Sequence, residues 1–180
     1  ADKIETEKDF LTELDNVIGD GDHGINMARG FGEVLKGLEA NASKAPGEVL
    51  KAVGMTLVAK VGGASGPLYG TAFMKLGMTL KDKSEISMED FLEAFQAATD
   101  GIMARGKAVK GEKTMLDAML PAKEAMETVY QSTKDARQAV AAGVKAAREG
   151  VEFTKTIAAT KGRASYVGDR SIGHQDPGAT

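Results

Sequence analysis

The chain of 180 residues has no cysteine, which removes a thiol nucleophile and gives no pointer to an oxidising compartment. Histidine is scarce too: with only His23 and His174, a serine triad has few bases to choose from. No apolar run approaches the ~18 residues of a membrane span, and Ala1-Asp2-Lys3 does not open a signal peptide. The cytoplasm is the expected place, with no membrane contact. Basic charge is not in excess, since the net charge is −3, and three Tyr and six Phe offer little for base stacking. DNA and RNA are therefore discounted as ligands. Strand signals are nearly absent, because no segment sustains apolar alternation between turn residues.

What remains is helical from end to end. With 42% hydrophobic and 27% charged residues and no linker, residues 1–180 read as one globular helical domain. Met27, Phe31, Val34, Leu35 and Leu38 recur at helical spacing behind an acidic stretch. After a break at 41–47, Leu50, Val53, Leu57, Val58 and Val61 mark a second stripe, and Tyr69, Ala72, Phe73, Leu76 and Leu80 a third. Ser87 with Asp90 resembles a capping box ahead of Met88, Phe91, Leu92, Phe95 and Ile102. The same signal recurs as Thr114 with Asp117, ahead of Met115, Met119, Met126 and Val129. It recurs again as Ser132 with Asp135, ahead of Val140, Val144, Ala147 and Val151. Small residues at Ala136, Ala139, Gly143 and Ala147 would allow close helix approach, and the nine methionines are expected to fill core gaps. From Lys161 the periodicity stops and glycines indicate a loop, ordered or ligand-dependent.

The stretch Asp15-Asn16-Val17-Ile18-Gly19-Asp20-Gly21-Asp22-His23-Gly24 carries three carboxylates in eight residues. Gly19, Gly21 and Gly24 let the backbone bring Asp20 and Asp22 beside Asp15, where the acids repel unless a cation sits between them. Hard oxygen ligands suit Mg²⁺ bound together with phosphate oxygens. The plainer alternative is a solvated turn. A calcium loop is disfavoured, because counting from Asp20 places Phe31 where the bidentate Glu belongs.

Gly62-Gly63-Ala64-Ser65-Gly66 would let backbone N–H groups approach an anion at the start of the next helix, or would serve as an ordinary helix-to-helix turn. The segment 101–108 nearly spells a Walker-type phosphate loop. It ends, however, in Ala108 rather than a hydroxyl, and it follows an amphipathic helix instead of a strand. His23, beside the acids, is either a ligand-facing group or a packed ring.

The run Gly19-Asp20-Gly21-Asp22-His23-Gly24-Ile25-Asn26-Met27-Ala28-Arg29-Gly30-Phe31 closely resembles the hallmark of the ADP-binding L subunits of phosphotransferase-dependent dihydroxyacetone kinases. Residues 61–70, the segment Arg105-Gly106-Lys107 with 111–115, and the run 161–180 are similar to that family as well. The resemblance implies an all-α barrel, a bundle variant of about eight antiparallel helices, with the nucleotide and metal at one end. It implies a pair of Mg²⁺ ions held by Asp15, Asp20 and Asp22. ADP would be surrounded by His23, Gly24, Ile25, Asn26, Ala64, Ser65, Gly106, Met115, Arg163, Asp176, Pro177 and Gly178, and Arg163 would be the catalytic residue. The implied partners are a K subunit that holds dihydroxyacetone and an M subunit whose phosphohistidine recharges bound ADP; a homodimer is also admitted. ADP is then a retained coenzyme. Parts of the family's first and last helices are expected to lie outside residues 1–180. The rivals are the nucleotide domain of an ATP-dependent dihydroxyacetone kinase and a nucleotide-sensing regulatory module.

Overall fold

The computed structural model describes residues 1–38 and 44–180, so positions 41–43 of the expected break lie outside the described residues. Among the described residues all regular structure is helical, as the missing strand signals predict. The order is α1 (Asp2–Thr6), α2 (Lys8–Ile18), α3 (His23–Leu38), α4 (Pro46–Lys60), α5 (Ser65–Thr79), α6 (Met88–Gly106), α7 (Leu116–Thr133) and α8 (Ala136–Thr154), followed by a 3₁₀ helix, Arg163–Ser171. None of the described helices is long and apolar enough to cross a membrane.

Local chemistry sets the boundaries. The Ser87 hydroxyl accepts the Asp90 N–H and the Asp90 carboxylate accepts the Ser87 N–H, so the expected capping box opens α6. Lys107 in the left-handed conformation (φ 52°) closes it. The other two expected boxes are corrected. At α7 only half forms: the Asp117 carboxylate accepts the Thr114 N–H at 2.9 Å, but the Thr114 hydroxyl accepts from Leu116 instead of Asp117. Ser132 caps nothing, because α7 runs on to Thr133 and the Ser132 hydroxyl donates back to the Thr128 and Val129 carbonyls. Asp135 is itself the cap of α8, accepting the N–H groups of Arg137 and Gln138.

The chain forms two compact units, Ala1–Glu13 with Gly21–Lys107, and Leu14–Asp20 with Ala108–Thr180. In the first, α4 packs along α5 and α5 along α6. Its core joins Met27 and Val34 of α3 to Leu57 and Val61 at the end of α4, with Phe31 meeting Phe73 edge-on at 6.2 Å between ring centres. Leu35 and Val58 fall off their expected stripes and are exposed.

In the second unit α7 packs along α8, and the buried face of α8 differs from the valine stripe of the sequence reading. Val140 and Val144 are 45% and 46% exposed, while Ala139, Gly143 and Gly150 are buried. The cause is close backbone approach. A Cβ on Gly150 would run into the Asp117 carbonyl and one on Gly143 into the Met126 side chain, so the facing position admits only small residues. The small-residue reading therefore holds at Ala139 and Gly143 but not at Ala136, which is exposed. Gap-filling holds for Met27, Met115 and Met126, whereas Met55 and Met78 are exposed. The tail from Lys161 is ordered as a 3₁₀ helix broken at Gly168 (φ 56°, ψ −131°). Its three-residue turn leaves no 3.6-residue period to detect.

Candidate functional site

The acidic stretch is built by two glycines. After α2 ends at Ile18, the Gly19 N–H donates to the Asp15 carbonyl at 2.6 Å, and any Cβ at Gly19 would collide with the Asp15 carboxylate. Gly21 then adopts φ 73°, a left-handed turn that other residues take reluctantly, and α3 begins with the Asn26 N–H donating to the Asp22 carbonyl. The result is that Asp15, Asp20 and Asp22 offer carboxylate oxygens that all lie within 4.8 Å of one another. Asp15 is buried, and Asp20 and Asp22 are exposed. Three hard oxygen donors from one short stretch fit Mg²⁺, which binds a few carboxylates and keeps its remaining positions for water and phosphate. The Arg163 guanidinium donates through Nε to Asp20 Oδ2 at 2.7 Å, so a side chain already supplies positive charge to the cluster.

In the first unit the starts of α3 and α5 come together: Ser65 Oγ lies 3.1 Å from His23 Nδ1, and each residue is the first of its helix. The residue ahead of α5, Ala64, makes no side-chain cap; Pro67 has no N–H and the Leu68 N–H donates to the Ala64 carbonyl at 3.2 Å, so the Ser65 and Gly66 amides are the ones that could serve an anion. Asn26 is buried, and its Oδ1 accepts from Arg29 at 2.7 Å while Arg29 Nε donates to the Lys60 carbonyl at 3.1 Å. Arg29 thus ties α3 to the end of α4. Gly24 is buried and Ile25 exposed. Gly106, the last residue of α6, has Leu68 of the first α5 turn beside it: a Cβ there would sit 3.1 Å from Leu68 Cδ2. The segment 101–108 is the end of α6 and the turn after it, with buried Gly101 and Ile102, and not a strand-borne phosphate loop.

In the second unit Met115 and Gly178 are neighbours, since a Cβ on Gly178 would lie 3.5 Å from Met115 Cε. Pro177 is buried. Asp176 is buried as well, and its Oδ2 accepts the Ala179 N–H at 2.7 Å, so the carboxyl shapes the closing turn. Burial pushes that carboxyl up to about 7, against the Ala179 N–H and the Lys113 ammonium, which favour the charged form. A carboxyl raised in the folded state contributes stability that is complete below its unfolded value of about 3.9 and is lost as pH rises through about 7. Wild type should therefore lose up to about 1.4 kcal/mol per pH unit from this group between about pH 4 and about pH 7, and Asp176→Asn should remove that slope. Denaturant titrations at several pH values test this; equal slopes in the two proteins would show that Asp176 does not take up the proton.

Sequence reasoning gave no role to Lys113 or Arg29 and read Asp117 only as part of a helix cap. Lys113 is 1% exposed with φ 60°, and its ammonium donates to the carbonyls of Thr154, Ile157 and His174. A lysine beside Gly111 and Glu112 reads as solvated, and hydropathy carries no hint of its burial. Asp117 is fully buried and accepts the N–H groups of Gly111 and Thr114; its place three residues after Thr114 was its one signal.

A carboxylate triad, and a helix start beside a histidine and a serine, are groups of the kind that suit a metal-complexed phosphate. Comparison with known proteins makes that specific. The chain belongs to the DAK2 domain family, which matches residues 17–180. It is 45% identical over 180 residues, all of this chain and 86% of the relative, to the ADP-binding subunit DhaL of the PEP-dependent dihydroxyacetone kinase of Escherichia coli. It is 45% identical over 177 residues, 98% of this chain and 84% of the relative, to the ADP-binding subunit DhaL of the PTS-dependent dihydroxyacetone kinase of Lactococcus lactis. Among solved structures, the dihydroxyacetone kinase of C. freundii in complex with AMP-PNP and Mg²⁺ is similar with a TM-score of 0.72 and 25% identity, over 98% of this chain. The chain spans 29% of the length of that kinase chain.

Proposed function

We propose that this chain is the ADP-binding subunit of a phosphotransferase-dependent dihydroxyacetone kinase, an enzyme that works together with further kinase subunits. The reading is carried by one observation: three carboxylates whose oxygens lie within 4.8 Å of one another, in a chain similar along its whole length to ADP-binding subunits. Asp15, Asp20 and Asp22 would hold Mg²⁺, in our reading a pair of ions. When bound, the metal neutralises phosphate charge. The remaining work falls to the protein's own groups, which in phosphoryl transfer means positioning and charge stabilisation. His23, Ser65 and the amides of Ser65 and Gly66 would receive the phosphates, beside Gly24, Ile25, Asn26, Ala64 and Gly106. Met115, Asp176, Pro177 and Gly178 are further nucleotide residues in this reading, and the Arg163 guanidinium would neutralise charge on the phosphoryl group in transit. Residues 1–180 then act as one nucleotide-binding domain, in the cytoplasm.

The partners in this reading are a K subunit that holds dihydroxyacetone and an M subunit whose phosphohistidine converts bound ADP to ATP; a homodimer of the present chain is compatible with it. ATP passes its terminal phosphoryl group to dihydroxyacetone, and ADP is left in place. A ligand held by several loops leaves slowly, because affinity differences reside mostly in the off-rate. Labelled ADP loaded with Mg²⁺ should therefore stay bound through many turnovers with the K and M partners and a phosphohistidine donor. The length of the C. freundii kinase chain favours a second reading, a nucleotide domain of an ATP-dependent kinase. That enzyme must release ADP every cycle, so one label exchanged per product formed would establish it and remove the first.

A further inference from the structure

Residues 158–173, which carry Arg163, form a loop fixed at its base and open at its tip. At the base, the Ala159 N–H donates to Ser171 Oγ at 2.8 Å, the Gly173 N–H to the Lys155 carbonyl at 2.7 Å and the Asp176 N–H to Thr154 Oγ1 at 3.0 Å. At the tip, Tyr166 is 83% exposed, Arg163 is exposed, and Gly162 and Gly168 take positive φ. Lys113 ties the two ends of this loop together from the buried side. Its ammonium has three hydrogens and three carbonyl acceptors: Thr154 at the last residue of α8 (2.6 Å), Ile157 just before the loop (3.3 Å) and His174 just after it. Its neighbour Glu112 holds the rising limb from outside, through its carbonyl to the Thr160 N–H, and through its carboxylate to the Thr160 hydroxyl and to Lys161.

A buried ammonium is costly unless every hydrogen is used, and here burial pulls Lys113 below the usual lysine range while Asp176 and Asp117 oppose that shift. A methionine would fill the same space without that cost, so packing alone does not account for a lysine. We propose that Lys113 is a positioning residue for phosphoryl transfer: by tying both ends of the 158–173 loop to the end of α8, it fixes where Arg163 is presented. The inference rests on the role given to Arg163 above. Lys113 touches no nucleotide in this scheme and acts through the loop alone.

The test is Lys113→Met in the full chain, assayed with the K and M partners. Amide hydrogen exchange should speed up at Ala159, Gly173 and Asp176 while the amides of α4 and α5 stay protected. Turnover should fall by about tenfold, with ADP–Mg²⁺ affinity changed by less than about threefold. The decisive arm is the double variant. In an Arg163→Ala background Lys113→Met should cost less than about twofold, because the group it positions is already gone. A full tenfold loss in that background, or unchanged exchange at Ala159 and Gly173, would overturn the proposal. If Lys113→Met does not fold, Lys113→Asn makes the same test, since Asn accepts the left-handed backbone but is too short to reach the carbonyls. Failure of both to fold even with ADP and Mg²⁺ would overturn the proposal too, showing a general core residue. If Arg163→Ala alone leaves turnover intact while exchange at the loop base still rises in Lys113→Met, it is the role of Arg163 that fails.

Discussion

Replacing Arg163 with alanine is expected to slow phosphoryl transfer by about a hundredfold or more, while ADP binds nearly as well as in wild type. A guanidinium on a loop tip contributes most where charge develops during transfer, and little to a nucleotide already held elsewhere. The ion pair with Asp20 sharpens the expectation. Arg163 is 66% exposed, so this pair is screened and worth at most about 1 kcal/mol; its loss will not unfold the chain. In the proposed site Asp20 would serve both Arg163 and the metal. Removing the guanidinium should therefore leave Mg²⁺ affinity unchanged or slightly raised, the opposite of what loss of a binding residue would do. Lysine should rescue poorly, because it lacks the planar fork. Single-turnover transfer from bound ATP to dihydroxyacetone on the proposed K partner, measured beside calorimetric titration of ADP and Mg²⁺, separates the two effects. Turnover within a few-fold of wild type would reduce Arg163 to a surface charge.

Asp20→Asn and Asp22→Asn should each weaken Mg²⁺-dependent nucleotide binding by about a hundredfold or more, with the helical content unchanged. Each removes one of the three carboxylates that, among the described residues, lie close enough together to share a cation. Both side chains are exposed, so amide replacements leave no buried hole. In the absence of metal these variants should melt at the same temperature as wild type or slightly above it, since one of three mutually repelling charges has gone. With ADP and Mg²⁺ together, wild type should gain stability by mass action and the variants should not. A titration in which either variant retains wild-type affinity would remove that residue from the metal site.

How far these features could be read from sequence depends on whether the information is local. The α3 stripe behind the acidic stretch and the capping box at Ser87 and Asp90 follow from residues three or four apart, and both were legible. The acidic stretch was legible for the same reason, as its three carboxylates sit on one short turn set by Gly19 and Gly21. The Asp20–Arg163 pair was not, because it joins residues far apart in the chain. Nor was Lys113, whose acceptors are backbone carbonyls and so leave no trace in residue type. On α8 the error came from ranking valine above glycine as a core former. That ranking fails where the partner backbone comes close, as Asp117 does at Gly150. At Ser132 a local pattern misled, because a hydroxyl in a helix can always return its hydrogen to a carbonyl one turn back.

The second unit takes Leu14–Asp20 from near the beginning of the chain and everything else from Ala108 onward. On the ribosome, Asp15 and Asp20 are therefore made long before the residues of the unit that holds them. Closing so long a stretch of chain is slow, since its entropy is lost before any contact repays it. A nascent chain ending at Lys107 would carry all three acids with no Arg163 to balance them and no finished unit around Ile18. Competence to hold the metal should thus arise late in synthesis and in one step, and a fragment of residues 1–107 should show no Mg²⁺ site although it contains every one of the three carboxylates.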